Sequence, residues 1–120
     1  MSNTLLIVDD SESIRELVCY NLKDAGYNVI KAVNGQDGIN KLTSEVKLII
    51  SDVNMPIMDG ITMVKNIRNN SNYKHLPIIM LTTESQLEIK NAARLAGATA
   101  WIVKPFDENK LLEVVKKFLR

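Results

Sequence analysis

The chain has 120 residues, of which 46% are hydrophobic and 24% are charged, so it has the length for one compact domain and is too short for two. The 15 basic and 14 acidic residues leave a net charge of +1, and the basic ones are scattered, which excludes the basic surface that nucleic acid binding needs. A lone cysteine excludes an internal disulfide, and no apolar stretch resembles a signal peptide or membrane span; we expect a cytoplasmic monomer without membrane insertion.

Short apolar runs alternate with helical patterns from one end of the chain to the other. This alternation predicts βα units and a doubly wound α/β fold around a parallel sheet. The predicted strands cover residues 4–8, 28–32, 47–51, 77–82 and 100–104. The predicted helices cover residues 11–25, 35–43, 60–69, 84–96 and 107–119.

The first predicted helix has a candidate cap at Ser11 or Ser13 and a glycine stop at Gly26. Its predicted buried stripe consists of Ile14, Leu17, Val18, Leu22 and Ala25. Cys19 falls outside this stripe, and no neighbouring group would lower its pKa. We therefore predict an inert thiol. Later in the chain, Asp59 and Asp107 are the predicted caps of the third and last helices.

Four of the apolar runs end on polar residues that suit phosphoryl chemistry. Asp9 and Asp10 follow the first strand, Asp52 follows the third, Thr82 ends the fourth and Lys104 ends the fifth. Ligands of open parallel sheets bind outside the carboxyl ends of the strands, so these side chains should converge on one site.

The three aspartates would repel one another in such a site, and a divalent cation is the natural counter-charge. Magnesium prefers hard oxygen ligands, and the chain has no Cys or His cluster that would favour zinc. The lone His75 precedes the fourth strand and should lie at the opposite edge of the sheet. A carboxylate is therefore the expected nucleophile, and Asp52 is the best candidate because Asp9 and Asp10 suit the metal.

At these residues the sequence resembles the receiver domains of two-component response regulators, and most of all the single-domain chemotaxis regulators of the CheY type. The matching pieces are Val8-Asp9-Asp10-Ser11, Ser51-Asp52-Val53-Asn54-Met55-Pro56-Ile57-Met58-Asp59-Gly60, Leu81-Thr82-Thr83-Glu84, Gly97-Ala98 and Val103-Lys104-Pro105-Phe106. The resemblance implies a flavodoxin-like fold with strand order 2-1-3-4-5. It also implies that residues 1–120 form one receiver domain without an output domain.

The resemblance implies roles for individual residues. Asp52 would accept the phosphoryl group; Asp10, Asp52 and the backbone carbonyl of Asn54 would ligate Mg²⁺, with Asp9 acting largely through a water molecule. Lys104 would pair with Asp52 and then with the phosphoryl oxygens, which the Thr82 hydroxyl and nearby backbone N–H groups such as that of Thr83 would also contact. The Lys104-Pro105 bond is expected to be cis.

Three further positions are implicated in the signal and in its lifetime. Trp101 stands where the family carries a switch aromatic, although a structural core tryptophan is an equal alternative. Asn54 and Glu84 occupy positions that modulate hydrolysis of the aspartyl phosphate, and this pair is typical of a short-lived phosphoryl group.

The predicted function is a phosphorylation-dependent binding module and not a turnover enzyme. A sensor histidine kinase would phosphorylate it, and its α4-β5-α5 face would then bind a target such as the flagellar motor switch, with a phosphatase as a further partner. The main alternative is a phosphorelay shuttle. Less favoured are a small aspartyl-phosphate phosphatase, a flavin or nucleotide carrier, and a receiver that acts by binding alone.

Overall fold

The computed structural model describes residues 3–119 and shows a five-stranded parallel sheet in the order β2-β1-β3-β4-β5, which confirms the predicted fold. The strands are β1 (Thr4–Val8), β2 (Asn28–Ala32), β3 (Val46–Ser51), β4 (Ile78–Thr82) and β5 (Ala100–Val103). The helices are α1 (Glu12–Asp24), α2 (Gly35–Lys41), α3 (Gly60–Arg68), α4 (Leu87–Ala96) and α5 (Glu108–Phe118), with a 3₁₀ turn at Ser71–Tyr73. Residues 1, 2 and 120 of the predicted domain lie outside the described residues.

Helices cover both faces of the sheet. Alternate residues of a strand point to opposite faces, so Leu5 and Ile7 of β1 join a cluster with α1 and α5, whereas Leu6 and Val8 join a cluster with α3 and α4. Strands buried on both faces are typical of parallel sheets. Because all five strands run in one direction, their carboxyl ends meet at one edge. None of the helices within residues 3–119 has the length and apolar character needed to cross a membrane.

The predicted helix starts are confirmed for α1, α3 and α5. Ser11, Asp59 and Asp107 each accept a hydrogen bond from a backbone N–H in the first turn of their helix. Helix α4 begins at Leu87 and not at residue 84. The Glu84 carboxylate accepts a hydrogen bond from the Gln86 N–H at 3.1 Å, which holds this segment in a turn before the helix.

The prediction for Cys19 was wrong in its placement. Cys19 is only 2% exposed and belongs to the core cluster, whereas Leu17 is 48% exposed. The buried face of α1 is centred between Val18 and Leu22 and extends toward Cys19, so the helix is rotated relative to the predicted stripe. Burial raises the pKa of the Cys19 thiol, which favours the unreactive protonated form.

Arg68, the last residue of α3, binds backbone carbonyl groups of two other segments. Its Nε and Nη2 donate to the Gly97 oxygen at 3.1 and 2.8 Å, and its Nη1 donates to the Tyr73 oxygen at 2.6 Å. Burial lowers the pKa of the guanidinium below its ordinary value. Gly97 is the residue that ends α4, with a φ of 117°. Its carbonyl lies at the negative end of the helix dipole, so the guanidinium also interacts favourably with that dipole. Arg68 therefore joins the carboxyl ends of α3 and α4.

We expect Arg68→Met to lower the free energy of unfolding by about 2 kcal/mol, because the Gly97 and Tyr73 carbonyl groups lose a charged donor. Urea denaturation followed by circular dichroism measures the change. Lys65→Met, at an exposed position of the same helix, is the matched control and should alter the free energy by less than about 0.5 kcal/mol. An Arg68→Met variant as stable as this control would contradict the prediction.

Candidate functional site

The polar residues selected from the sequence lie at the carboxyl edge of the sheet. Asp9 directly follows β1, Asp52 follows β3, Thr82 ends β4 and Lys104 follows β5. Strands β1 and β3 are neighbours, and the Asp52 N–H donates to the Val8 carbonyl at 2.9 Å. The sheet therefore places the three strand ends with charged side chains around one site.

Lys104 connects the two buried aspartates of this site. Its Nζ donates to Asp9 Oδ2 at 2.9 Å and to Asp52 Oδ2 at 3.1 Å. The side chains of Lys104, Asp9 and Asp52 are 8%, 4% and 12% exposed, so these ion pairs are shielded from water. The pairing of Lys104 with Asp52 agrees with the prediction, and the pairing with Asp9 is additional. The Lys104-Pro105 peptide bond is cis.

Burial and pairing determine the acid–base behaviour of these groups. Burial raises the pKa of Asp9 above the ordinary aspartate value, against the lowering effects of the Lys104 ammonium and the Ser11 N–H. Burial alone would lower the pKa of Lys104, but hydrogen bonds to Asp9 and Asp52 outweigh it and raise that pKa. The ammonium is therefore charged at neutral pH, whereas the Asp9 anion is disfavoured by its surroundings.

Asp9, Asp10 and Asp52 form a carboxylate cluster that could hold a metal ion. One ligand oxygen from each lies within 4.8 Å of the others. Carboxylate oxygens are the ligands that Mg²⁺ prefers, so these three side chains have the chemistry that would hold such an ion. A carboxylate oxygen that accepts one hydrogen bond retains a second lone pair. Of the described residues, the cluster holds three carboxyl groups and only one ammonium group, that of Lys104, so a divalent cation would supply the missing positive charge.

The backbone around Asp52 is closely packed. The Val53 N–H donates to Asp52 Oδ1 at 2.6 Å, and the Ser51 hydroxyl donates to the Asp52 carbonyl at 2.8 Å. A Cβ atom on Gly60 would overlap this same carbonyl oxygen. The sequence predicts only that Gly60 begins the third helix, directly after the Asp59 cap. Its contact with the Asp52 carbonyl could not be predicted, because no local pattern distinguishes a glycine needed for space from one needed for a turn.

Comparison with known proteins gives a family for this arrangement of residues. The family model described as the response regulator receiver domain matches residues 5–116. The chain belongs to this family. Receiver domains of this kind are signalling proteins and not turnover enzymes, and they interact with histidine kinases and downstream targets.

Several chemotaxis proteins are similar to this receiver domain. Chemotaxis protein CheY1 of Helicobacter pylori is 39% identical over 118 residues, which cover 96% of this chain and 95% of that protein. Chemotaxis protein CheY-3 of Vibrio cholerae is 38% identical over 117 residues, covering 94% and 88%. The crystal structure of chemotaxis protein CheY4 of Vibrio cholerae superposes with a TM-score of 0.93 at 45% identity, covering 99% of this chain and 100% of that chain. The predicted resemblance to CheY-type receivers is confirmed.

In the receiver domain, Thr82 lies beside the charged cluster without a hydrogen bond from its hydroxyl to the cluster. Thr82 is fully buried, and its hydroxyl oxygen accepts from the Glu84 N–H at 3.1 Å. Its backbone carbonyl accepts from the Lys104 N–H at 2.8 Å, which keeps the two residues adjacent. Within residues 3–119 no hydrogen bond joins the Thr82 hydroxyl to Asp52. Thr83 is exposed at the start of the following loop.

The two positions predicted to modulate hydrolysis lie on the loops that follow β3 and β4. Asn54 is exposed two residues after Asp52, and its side chain makes no hydrogen bond to any of residues 3–119. Glu84 is half-buried, and its carboxylate contacts only the Gln86 N–H at 3.1 Å among the hydrogen bonds of this part of the chain. Both side chains therefore have freedom to reorient toward a group on Asp52.

Trp101 of the receiver domain is half-buried and packs in the apolar cluster under α4. Its Nε1 is buried and has no hydrogen-bond partner among residues 3–119. The ring also lines a cavity of about 330 Å³ between α4 and β5, next to Leu87 and Arg94. The tryptophan is thus a core residue with open space beside it, which is consistent with both predicted roles.

Proposed function

We propose that this receiver domain acts in chemotaxis signalling by accepting a phosphoryl group on Asp52 in a Mg²⁺-dependent reaction. The proposal is carried by one observation: Asp52 meets the Lys104 ammonium at 3.1 Å within a cluster of three carboxylates. A carboxylate attacks phosphorus as a nucleophile, and an ammonium group stabilises the oxygens of the transferring group. The donor is the phosphohistidine of a sensor histidine kinase or a small acyl phosphate.

In the proposed reaction, an oxygen of Asp52 attacks the phosphorus atom in line with the leaving group. The new P–O bond forms as the P–N bond of the phosphohistidine breaks, and the imidazole nitrogen keeps the electron pair of the broken bond. Asp9, Asp10, Asp52 and the Asn54 carbonyl would hold Mg²⁺. When bound, this ion neutralises negative charge on the transferring oxygens.

Lys104 and Thr82 hold the phosphorylated product in this proposal. Lys104 already lies within hydrogen-bond distance of the acceptor, so a small movement transfers its hydrogen bond to a phosphoryl oxygen. The Thr82 hydroxyl, whose oxygen accepts from the Glu84 N–H, would donate its own hydrogen to another phosphoryl oxygen, and the Thr83 N–H would donate to the third.

The movement of Thr82 would transmit the signal to the surface formed by α4, β5 and α5. Trp101 pairs with the part of β4 that precedes Thr82, and a cavity lies beside its ring. The ring can therefore move inward when Thr82 moves. The changed surface then binds the target, which we propose to be a flagellar motor switch protein. Asn54 and Glu84 set the rate of hydrolysis, and a phosphatase partner accelerates the return to the resting state.

The proposal is tested by mass spectrometry after incubation with a small acyl phosphate and Mg²⁺. We expect a mass increase of about 80 Da for the wild type and none for Asp52→Asn or for the wild type in EDTA. Binding to a motor switch protein should then require phosphorylation or the phosphate mimic beryllofluoride. A wild-type mass unchanged by the acyl phosphate and by every kinase of a panel would contradict the proposal.

A further inference from the structure

Ile57 is poorly suited to its place in this receiver domain. Its φ is 69°, and it is the one non-glycine residue with positive φ among residues 3–119. A branched Cβ is disfavoured in this region of backbone conformation. The side chain is also 85% exposed, more than any other large apolar side chain described. Neither backbone preference nor burial in the fold accounts for isoleucine here, and residues in such strained conformations cluster at functional sites.

The loop that carries Ile57 begins directly after the phosphoacceptor and closes beside it. At its base, the Gly60 N–H donates to the Val53 carbonyl at 2.8 Å. At its tip, the Met58 N–H donates to the Pro56 carbonyl at 2.7 Å, which makes Ile57 the central residue of a γ-turn. These hydrogen bonds fix the loop that follows β3, so Ile57 lies at the carboxyl edge of the sheet, the edge that also carries Asp52.

A second exposed apolar side chain lies on the neighbouring loop. Val33, between β2 and α2, is 46% exposed. The two loops are joined by a hydrogen bond from the Gly35 N–H to the Met58 carbonyl at 2.9 Å. Val33 and Ile57 are therefore exposed apolar side chains on two joined loops of the carboxyl edge, which is the edge that carries the charged cluster.

We propose that Ile57 is a specificity-determining contact for the protein phosphodonor. This inference rests on the proposed function, because a phosphohistidine that reaches Asp52 from this edge brings the surrounding protein surface over the loop tip. The complementary feature of the donor is an apolar patch next to its phosphohistidine, since covering an exposed isoleucine is favourable only against apolar atoms. A small acyl phosphate reaches the acceptor without covering this side chain.

The test compares two donors on Ile57→Asn. Asparagine adopts positive φ more readily than isoleucine, so the loop is retained and the urea midpoint rises. Using the kinase that phosphorylates the wild type fastest in the panel, we expect kcat/KM for transfer to fall about tenfold. The rate of phosphorylation by the small acyl phosphate should remain unchanged.

Two further variants define the controls. Ile57→Gly also relieves the backbone and should show the same selective loss. Leu95→Asn removes an equally exposed leucine, 82% exposed near the far end of α4, and should leave both reactions unchanged. Undiminished kinase transfer in Ile57→Asn would overturn the inference, and so would equal slowing with both donors, which would indicate a disturbed acceptor. A wild type that accepts no phosphoryl group from either donor would instead overturn the proposed function.

Discussion

Lys104→Met should slow phosphorylation of Asp52 by a small acyl phosphate about a hundredfold, and should lower the free energy of unfolding by about 3 kcal/mol at neutral pH without Mg²⁺. The rate falls because the ammonium group that pairs with Asp52, the proposed acceptor, is removed from the described site. The stability falls because Asp9 and Asp52 remain buried without their shared cation. Methionine keeps a side chain of similar length, so lost packing contributes little.

The stability loss should depend on pH in a defined direction. The pKa of Asp9 is raised in the folded protein, so the unfolded chain binds fewer protons and stability falls as pH rises above the unfolded value of about 3.9. Removing Lys104 raises the pKa of Asp9 further, so the fall in stability extends to higher pH. The pKa of Lys104 is itself raised, so its contribution is fully present below about 10.4 and is lost as pH rises through its folded pKa. The loss of stability caused by Lys104→Met should therefore be smallest below the folded pKa of Asp9.

Urea denaturation over a pH series in EDTA measures this dependence, and stopped-flow or mass spectrometry measures the phosphorylation rate. Lys110→Met, at an exposed position of α5, is the matched control and should match the wild type in both. A Lys104→Met variant with a stability loss that is constant from acidic to neutral pH would contradict the electrostatic explanation.

Gly60→Ala is the second change with a large expected effect. The added methyl group would overlap the carbonyl oxygen of Asp52 and approach Met80 Cε to 3.0 Å. This carbonyl belongs to the backbone and also accepts a hydrogen bond from the Ser51 hydroxyl. It therefore cannot rotate away as a flexible side chain could. We expect a loss of about 3 kcal/mol in the free energy of unfolding. Phosphorylation should also be slower, because the backbone movement that relieves the overlap displaces Asp52, the proposed acceptor.

Gly26→Ala separates this steric effect from a general intolerance of glycine replacement. Gly26 has a φ of 99° and open space around its Cα, so alanine there meets only backbone strain of about 1 kcal/mol. Its phosphorylation rate should equal that of the wild type. If Gly60→Ala lost no more stability than Gly26→Ala, the overlap with the Asp52 carbonyl would not be the cause of the expected loss.

Much of the fold was predictable because its signals are local. Apart from the start of α4, the observed helices and strands differ from the predicted ones by at most two residues at each end. Alternating apolar runs and helical stripes report directly on burial, and the caps at Ser11 and Asp107 need only a side chain and the next turn of backbone. The start of α4 was missed because the Glu84 turn competes with helix formation there.

The pattern of strands was enough to predict that Asp9, Asp52 and Lys104 come together, since parallel strands bring their carboxyl ends to one edge whatever course the loops take. The contacts themselves become visible only in the packed molecule: Lys104 bridges two aspartates, Cys19 lies in the core, and Gly60 lies against the Asp52 carbonyl. Periodicity specifies the direction of a side chain within its own element. Distances between segments far apart in the chain depend on the packing of several elements at once, and no local pattern encodes them.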